Sequence, residues 1–150
     1  MDSEKSKVLT DINQIVLESR EDPNIEKWEK ALIEDFADKV SKVLAEFESL
    51  EKEGEYIPDH NPFSSDLRKK FTKYFSSFLD IPSGFVTGLK LGYTSVQIFQ
   101  NIWAIALNKV GETIESEQQR IGIENWGLSL GVGFPMGVSG TISVTFKNSS

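Results

Sequence analysis

The sequence predicts an α+β fold, in which a bundle of about four helices is followed by a C-terminal antiparallel β-hairpin. Apolar residues recur at intervals of three and four through most of the chain, which is typical of amphipathic helices. Between Trp126 and Phe146 they alternate with Gly, Ser and Thr, which is typical of strands. With 150 residues, 39% of them hydrophobic, the chain is expected to form a single domain over residues 1–150.

The composition excludes several classes of function. The first 60 residues hold 17 acidic and 8 basic residues and the other 90 hold 6 and 8, so charges of −9 and +2 give the net −7. An acidic chain repels phosphate backbones, and we therefore expect no nucleic acid as a partner. No Cys is present, which excludes disulfides and thiol chemistry. Met1–Lys7 is polar and resembles no secretory signal, which favours a cytoplasmic protein.

The first two helices are predicted over residues 4–20 and 23–53. The dipeptide Asp22-Pro23 ends one and begins the other, because Asp is a preferred N-cap and Pro is tolerated in the first turn. The second helix carries an apolar seam too short for an autonomous coiled coil, so we expect it to pack in a bundle. The seam consists of Ile33, Phe36, Val40, Val43, Phe47 and Leu50.

The third helix is predicted over residues 64–80, with an aromatic face for the core and a basic face. The basic face either pairs with the acidic second helix or contacts an anionic surface. We expect the first, because charged helix faces are commonly solvated. The basic cluster consists of Arg68, Lys69, Lys70 and Lys73.

The fourth helix is predicted over residues 84–118. Its first three glycines are spaced four residues apart, which allows close helix packing and gives the segment a composition similar to that of glycine-zipper helices. No charge occurs from Leu91 to Asn108, but amide side chains within that stretch argue against a membrane span. We therefore expect a core helix. The glycines of the ridge are Gly84, Gly88 and Gly92.

The hairpin is predicted over residues 121–134 and 138–147, and no charge occurs from Asn125 to Phe146. A lone hairpin is only marginally stable in water, and uncharged edges invite pairing with another chain. The sequence therefore predicts an interface in this segment. The candidate interface residues are Trp126, Leu128, Leu130, Val132, Phe134, Ile142, Val144 and Phe146.

The sequence predicts no catalytic, cofactor or metal site. Residues 127–131 match the G-x-S-x-G pattern of serine hydrolases, but they lie inside a predicted strand and no His follows them. The single His60 falls in a predicted turn and leaves too few ligands for zinc. Glu34 and Asp38 lie on one helix face, but nothing in the sequence indicates the burial that an acid–base pair needs.

We therefore expect a non-enzymatic module for protein interaction or self-assembly, whose hairpin binds a second copy or another protein. The alternative is a membrane-active protein that inserts residues 84–110 or the hairpin, which is similar in composition to the stems of pore-forming proteins. In that case the basic cluster contacts anionic headgroups. A third interpretation, a pocket for an apolar ligand lined by Phe99, Trp103 and Phe134, rests on aromatic content alone.

Overall fold

The computed structural model describes residues 3–58, 61–81, 91–131 and 139–146, which hold four helices and two strands. The predicted four-helix bundle is confirmed. The helices are α1 (Ser3–Glu21), α2 (Lys27–Glu55), α3 (Ser65–Asp80) and α4 (Tyr93–Ile121), and the strands are β1 (Ile123–Gly131) and β2 (Ser139–Phe146).

The two longest helices, α2 and α4, lie side by side and run in the same direction. Near their N-termini, the Glu29 carboxylate of α2 accepts a hydrogen bond from the backbone N–H of Gly92, which directly precedes α4. Farther along, the rings of Phe36 and Phe99 pack with centroids 4.9 Å apart. The last turns meet where Arg120 of α4 reaches the backbone at the end of α2. This parallel pair forms the centre of the bundle.

The helices α1 and α3 run antiparallel to α2. Arg20 in the last turn of α1 pairs with Glu34 in the first half of α2, and α1 also packs against α4. Lys70, near the start of α3, pairs with Glu53 near the end of α2 at 3.6 Å. Each outer helix therefore covers a different part of the central pair.

The core between the helices is rich in aromatic residues. Phe47 of α2 contacts four rings of α3, with centroid distances of 5.0 to 6.5 Å. Phe78 stacks on Trp103 of α4 at 4.4 Å, which joins α3 to the central pair. Since burying one such side chain contributes about 1.5–3 kcal/mol, these contacts account for much of the favourable free energy of packing.

The apolar seam predicted for α2 faces this core. Five of its six residues are buried and Val43 is half-buried, while the neighbouring Leu44 is 1% exposed. The helix begins later than residue 23, because the Asp22 side chain accepts a hydrogen bond from the N–H of Asn24 and forms a local turn. The predicted start of the fourth helix, residues 84–90, lies outside the described residues.

The α+β class, in which the C-terminal hairpin is a second structural layer beside the helices, is wrong. The chain is a mostly helical bundle. Where side chains are described, which within the strands means Ile123, Glu124 and Thr145 only, all but three of the buried apolar residues lie in helices. An α+β fold needs a sheet for the helices to cover, whereas β1 and β2 make only a two-stranded ribbon at the end of the chain. The period-two pattern was too short to specify a layer. The three exceptions are Ile25, Phe63 and Ile123.

Glu29 joins the N-termini of the two central helices and is only 4% exposed. One carboxylate oxygen accepts from the N–H of Glu26 at 3.2 Å, and the other accepts from the N–H of Gly92 at 2.9 Å. Burial raises the pKa of Glu29, but the neighbouring Ser95 side chain and these two N–H groups favour the carboxylate, and the net effect is a lowered pKa. Glu29 is therefore an anion held at the positive ends of two helices.

We expect Glu29→Gln to lower the free energy of unfolding by about 1–3 kcal/mol at neutral pH, because an amide NH₂ replaces one of the two acceptors. The folded pKa lies below the ordinary value of 4.5, so the contribution of Glu29 is present above that pH and is lost as the pH falls through the folded pKa. Urea unfolding from pH 7 down to pH 2 measures this. The difference from wild type should shrink at the acid end.

The matched control is Glu46→Gln, at an exposed position of the same helix. It should change the free energy of unfolding by no more than about 0.5 kcal/mol. A difference between wild type and Glu29→Gln that stays constant over the whole pH range would contradict the assigned role.

Candidate interaction surface

The two strands pair antiparallel with each other and, within the described ranges, with no other strand. The register is regular from Asn125 opposite Thr145 to Gly131 opposite Ser139. It shifts between Ile123 and Asn125, which leaves Glu124 as the extra residue of a β-bulge. The ribbon therefore has two outer edges, one along each strand.

Six of the eight candidate interface residues lie in this ribbon. The register sets Trp126 opposite Val144 and Leu128 opposite Ile142, so these backbone positions share one face. Val132 and Phe134 lie outside the described residues. The other two in the ribbon are Leu130, opposite Gly140, and Phe146, opposite Ile123.

Charge is confined to one end of the ribbon. Glu124 is the only charged residue from Ile123 to Phe146, and its side chain is exposed at the bulge. Thr145, which lies opposite Asn125, is exposed as well. Natural edge strands are usually protected by charges, proline or bulges. Beyond Glu124 the ribbon has no such charge.

A tight corner fixes where the ribbon begins. Gly122 has φ = 91°, the left-handed conformation that favours glycine, and its N–H donates to the carbonyl of Gln118 at 3.0 Å, which ends α4. The residues on either side, Ile121 and Ile123, are 0% and 1% exposed. The start of β1 is therefore anchored in the helical core.

Arg120 ties this corner to the end of α2. Its Nη2 donates to the carbonyls of Gly54 and Ile57, both at 2.9 Å, and its Nε donates to the carbonyl of Asn61 at 3.1 Å. The guanidinium lies 4.6 Å from the ring centroid of Phe63, whose own N–H donates to the Arg120 carbonyl at 2.8 Å. A single side chain thus holds the last turn of α4, the end of α2 and the connection to α3 together.

The four residues of the predicted basic cluster differ in their exposure and their contacts. Lys70 pairs with Glu53 of α2, and Lys69 and Lys73 are exposed. Arg68 is half-buried, and its Nη1 lies 3.4 Å from where a Cβ of Gly122 would stand. Pairing with the acidic α2 is observed at Lys70, while contact with an anionic surface stays a prediction.

The glycine ridge is described at one position only. Gly92 is the N-cap of α4, and its N–H binds the Glu29 carboxylate. Gly84 and Gly88 lie outside the described residues, and the ridge stays a prediction. None of the described helices combines the length and hydropathy needed to cross a membrane.

The other candidate sites separate in the structure. Glu34 pairs with Arg20, and Asp38 pairs with Lys42 at 3.1 Å, all on exposed surface. His60 lies outside the described ranges, and within them no cluster of three or more His, Asp or Glu side chains is placed to hold a metal ion.

Two of the three aromatic residues proposed to line an apolar pocket lie in the core. Phe99 and Trp103 are fully buried, and Phe134 is outside the described residues. A groove of about 450 Å³ instead opens between α1 and α4. It is lined by Lys7, Val8, Asp11, Ile105, Asn108, Lys109 and Glu112.

Sequence reasoning missed Glu29 and Arg120. The sequence analysis assigns neither residue a role, because their partners lie 63 and 66 residues away along the chain. The available signal was positional: an acid in the first turn of one long helix and an arginine in the last turn of another.

The chain matches no family model, no curated protein and no solved structure.

We expect Arg120→Lys to lower the free energy of unfolding by about 1–3 kcal/mol, because one ammonium cannot reproduce the planar fork that reaches three carbonyls. Thermal or urea unfolding followed by far-UV circular dichroism measures the loss. Arg20→Lys is the matched control, since Arg20 lies in the last turn of α1 but makes an exposed pair worth less than about 1 kcal/mol. Equal effects of the two substitutions would contradict the role assigned to Arg120.

Proposed function

We propose that this chain is a non-enzymatic interaction module that associates through β1 and β2, with a second copy of the chain as the first partner to test. The observation that carries the proposal is the two-stranded ribbon, whose strands pair only with each other among the described residues. An outer edge of such a ribbon presents backbone N–H and C=O groups that another strand can pair with.

The energetics of a small ribbon support association. Two strands alone are marginally stable in water, and three or more, or packing against helices, are needed for stability. The helix α4 contacts both strands and α3 contacts β2, so the ribbon has support from the bundle. A further strand would form backbone hydrogen bonds along an outer edge of the ribbon. The packing of helices against the ribbon does not replace these hydrogen bonds.

The charge distribution supports the same surface. The chain carries a net charge of −7, yet no charged residue occurs from Asn125 to Phe146. In a two-fold contact each surface meets its own copy, so the acidic α2 or the basic α3 brings like charges together, whereas the uncharged strands do not. Self-association is therefore least opposed at the C-terminal strands.

We expect wild-type protein to have a mass above 16.8 kDa in multi-angle light scattering, with a value that rises with concentration. The double substitution Leu130→Glu and Val144→Glu should return the mass to one chain, because like charges across an edge oppose pairing. Far-UV circular dichroism should show that the helices are retained.

The control is Leu17→Glu with Ala45→Glu, which adds the same charge at exposed positions of α1 and α2. This variant should keep the wild-type mass. Single-chain mass for wild type at every concentration would contradict self-association. Co-flotation with anionic liposomes, measured on the same samples, would instead favour the membrane-active alternative.

A further inference from the structure

We propose that β2, and not β1, is the strand that joins two copies, with β2 of one chain pairing antiparallel to β2 of the other about a two-fold axis. This inference rests on the proposed function, since it names the edge through which self-association occurs. It follows from the register, the sequence and the position of the bulge.

The outer edge of β1 is poorly suited to pairing. The β-bulge at Glu124 disrupts the regular strand at its start and places an exposed carboxylate there. Two glycines, Gly127 and Gly131, lie within the strand. Glycine weakens a strand because it loses more backbone entropy on folding than other residues do and has no side chain to pack. Bulge, charge and glycines all act against pairing along this edge.

The strand β2 contains neither the bulge nor a charge, holds one glycine, Gly140, where β1 holds two, and has a stronger preference for strand conformation. Its pairing with β1 is regular from Ser139 to Thr145, and it contains no charged residue. Four of its eight residues are β-branched, a class that fits a pleated surface well. The β-branched residues are Thr141, Ile142, Val144 and Thr145.

A second copy is the occupant that these features favour. An antiparallel strand pair is self-complementary under a two-fold rotation, so one uncharged edge serves both partners. The product is a four-stranded sheet in the order β1-β2-β2-β1, which passes the size at which small sheets become stable. The net charge of −7 stays on the outside of that arrangement.

The absence of Cys from the chain allows a direct test by single-cysteine scanning. Cysteines are introduced one at a time at Ser143 and Thr145 of β2 and at Asn125 and Ser129 of β1, which occupy opposite edges of the same ribbon. A disulfide needs Cβ atoms about 3.5–4.5 Å apart. Paired β2 strands lie about 4.8 Å apart, while the two β1 strands lie about 14 Å apart.

Two further variants, Thr141→Cys and Ile142→Cys, complete the scan of β2. We expect oxidised glutathione to convert at least one β2 variant from a single chain to a disulfide-linked dimer, seen on non-reducing gels. The β1 variants should stay at the background set by Thr10→Cys, an exposed site on α1. Crosslinking from β1 alone overturns the choice of edge and leaves the proposed function standing. Background crosslinking everywhere, with single-chain mass in light scattering, overturns both.

Discussion

The two central helices, α2 and α4, are each 29 residues long and run in parallel, which places two positive helix ends side by side at one end of the bundle and two negative ends at the other. At each end of the pair, a charged side chain of one helix binds the backbone of the other helix. Glu29 of α2 accepts from the N–H that precedes α4, and Arg120 of α4 donates to a carbonyl in the last turn of α2. Without these two contacts, the parallel arrangement would leave backbone groups unpaired at both ends.

The remaining elements are placed by helix direction and by further contacts of Arg120. The outer helices run antiparallel to α2, so their dipoles oppose those of the central pair. The carbonyl of Asn61 and the ring of Phe63 are held by Arg120, which sets the path of the chain into α3. Because Arg120 lies only two residues before Gly122, the same contact fixes the corner from which β1 leaves the bundle.

Local patterns predicted the helices well, because burial of an apolar stripe is encoded within a few residues. The seam of α2 and the aromatic face of α3 were both recoverable from spacing, and Phe36, Phe47 and Phe71 are fully buried as expected. Fold class was not recoverable in the same way. Alternation from Trp126 to Phe146 indicated strands, but whether strands form a layer depends on how many pair, and that is decided outside the segment.

The candidate interaction surface could be predicted from the sequence only where its features are local. The missing charge in the C-terminal segment is visible in the sequence, whereas the bulge at Glu124 depends on the register against β2. Glu29 and Arg120 were invisible, because an acid and an arginine acquire their roles only when a partner helix end arrives from more than 60 residues away. Long-range electrostatic contacts of this kind carry no local signature beyond their place in the first or last turn.

The helices carry most of the charge of the chain, whereas the two strands carry almost none. The first 60 residues, which include α1 and the central helix α2, carry −9, whereas the outer helix α3 carries +2. When two copies meet through the same helical surface, like charges face each other and oppose association there. The ribbon, with its single carboxylate at the bulge, lacks this protection along β2. This contrast between charged helices and an uncharged strand edge is why the proposed self-association is assigned to β2, since an edge that lacks charge is the one at which pairing of two like strands is least opposed.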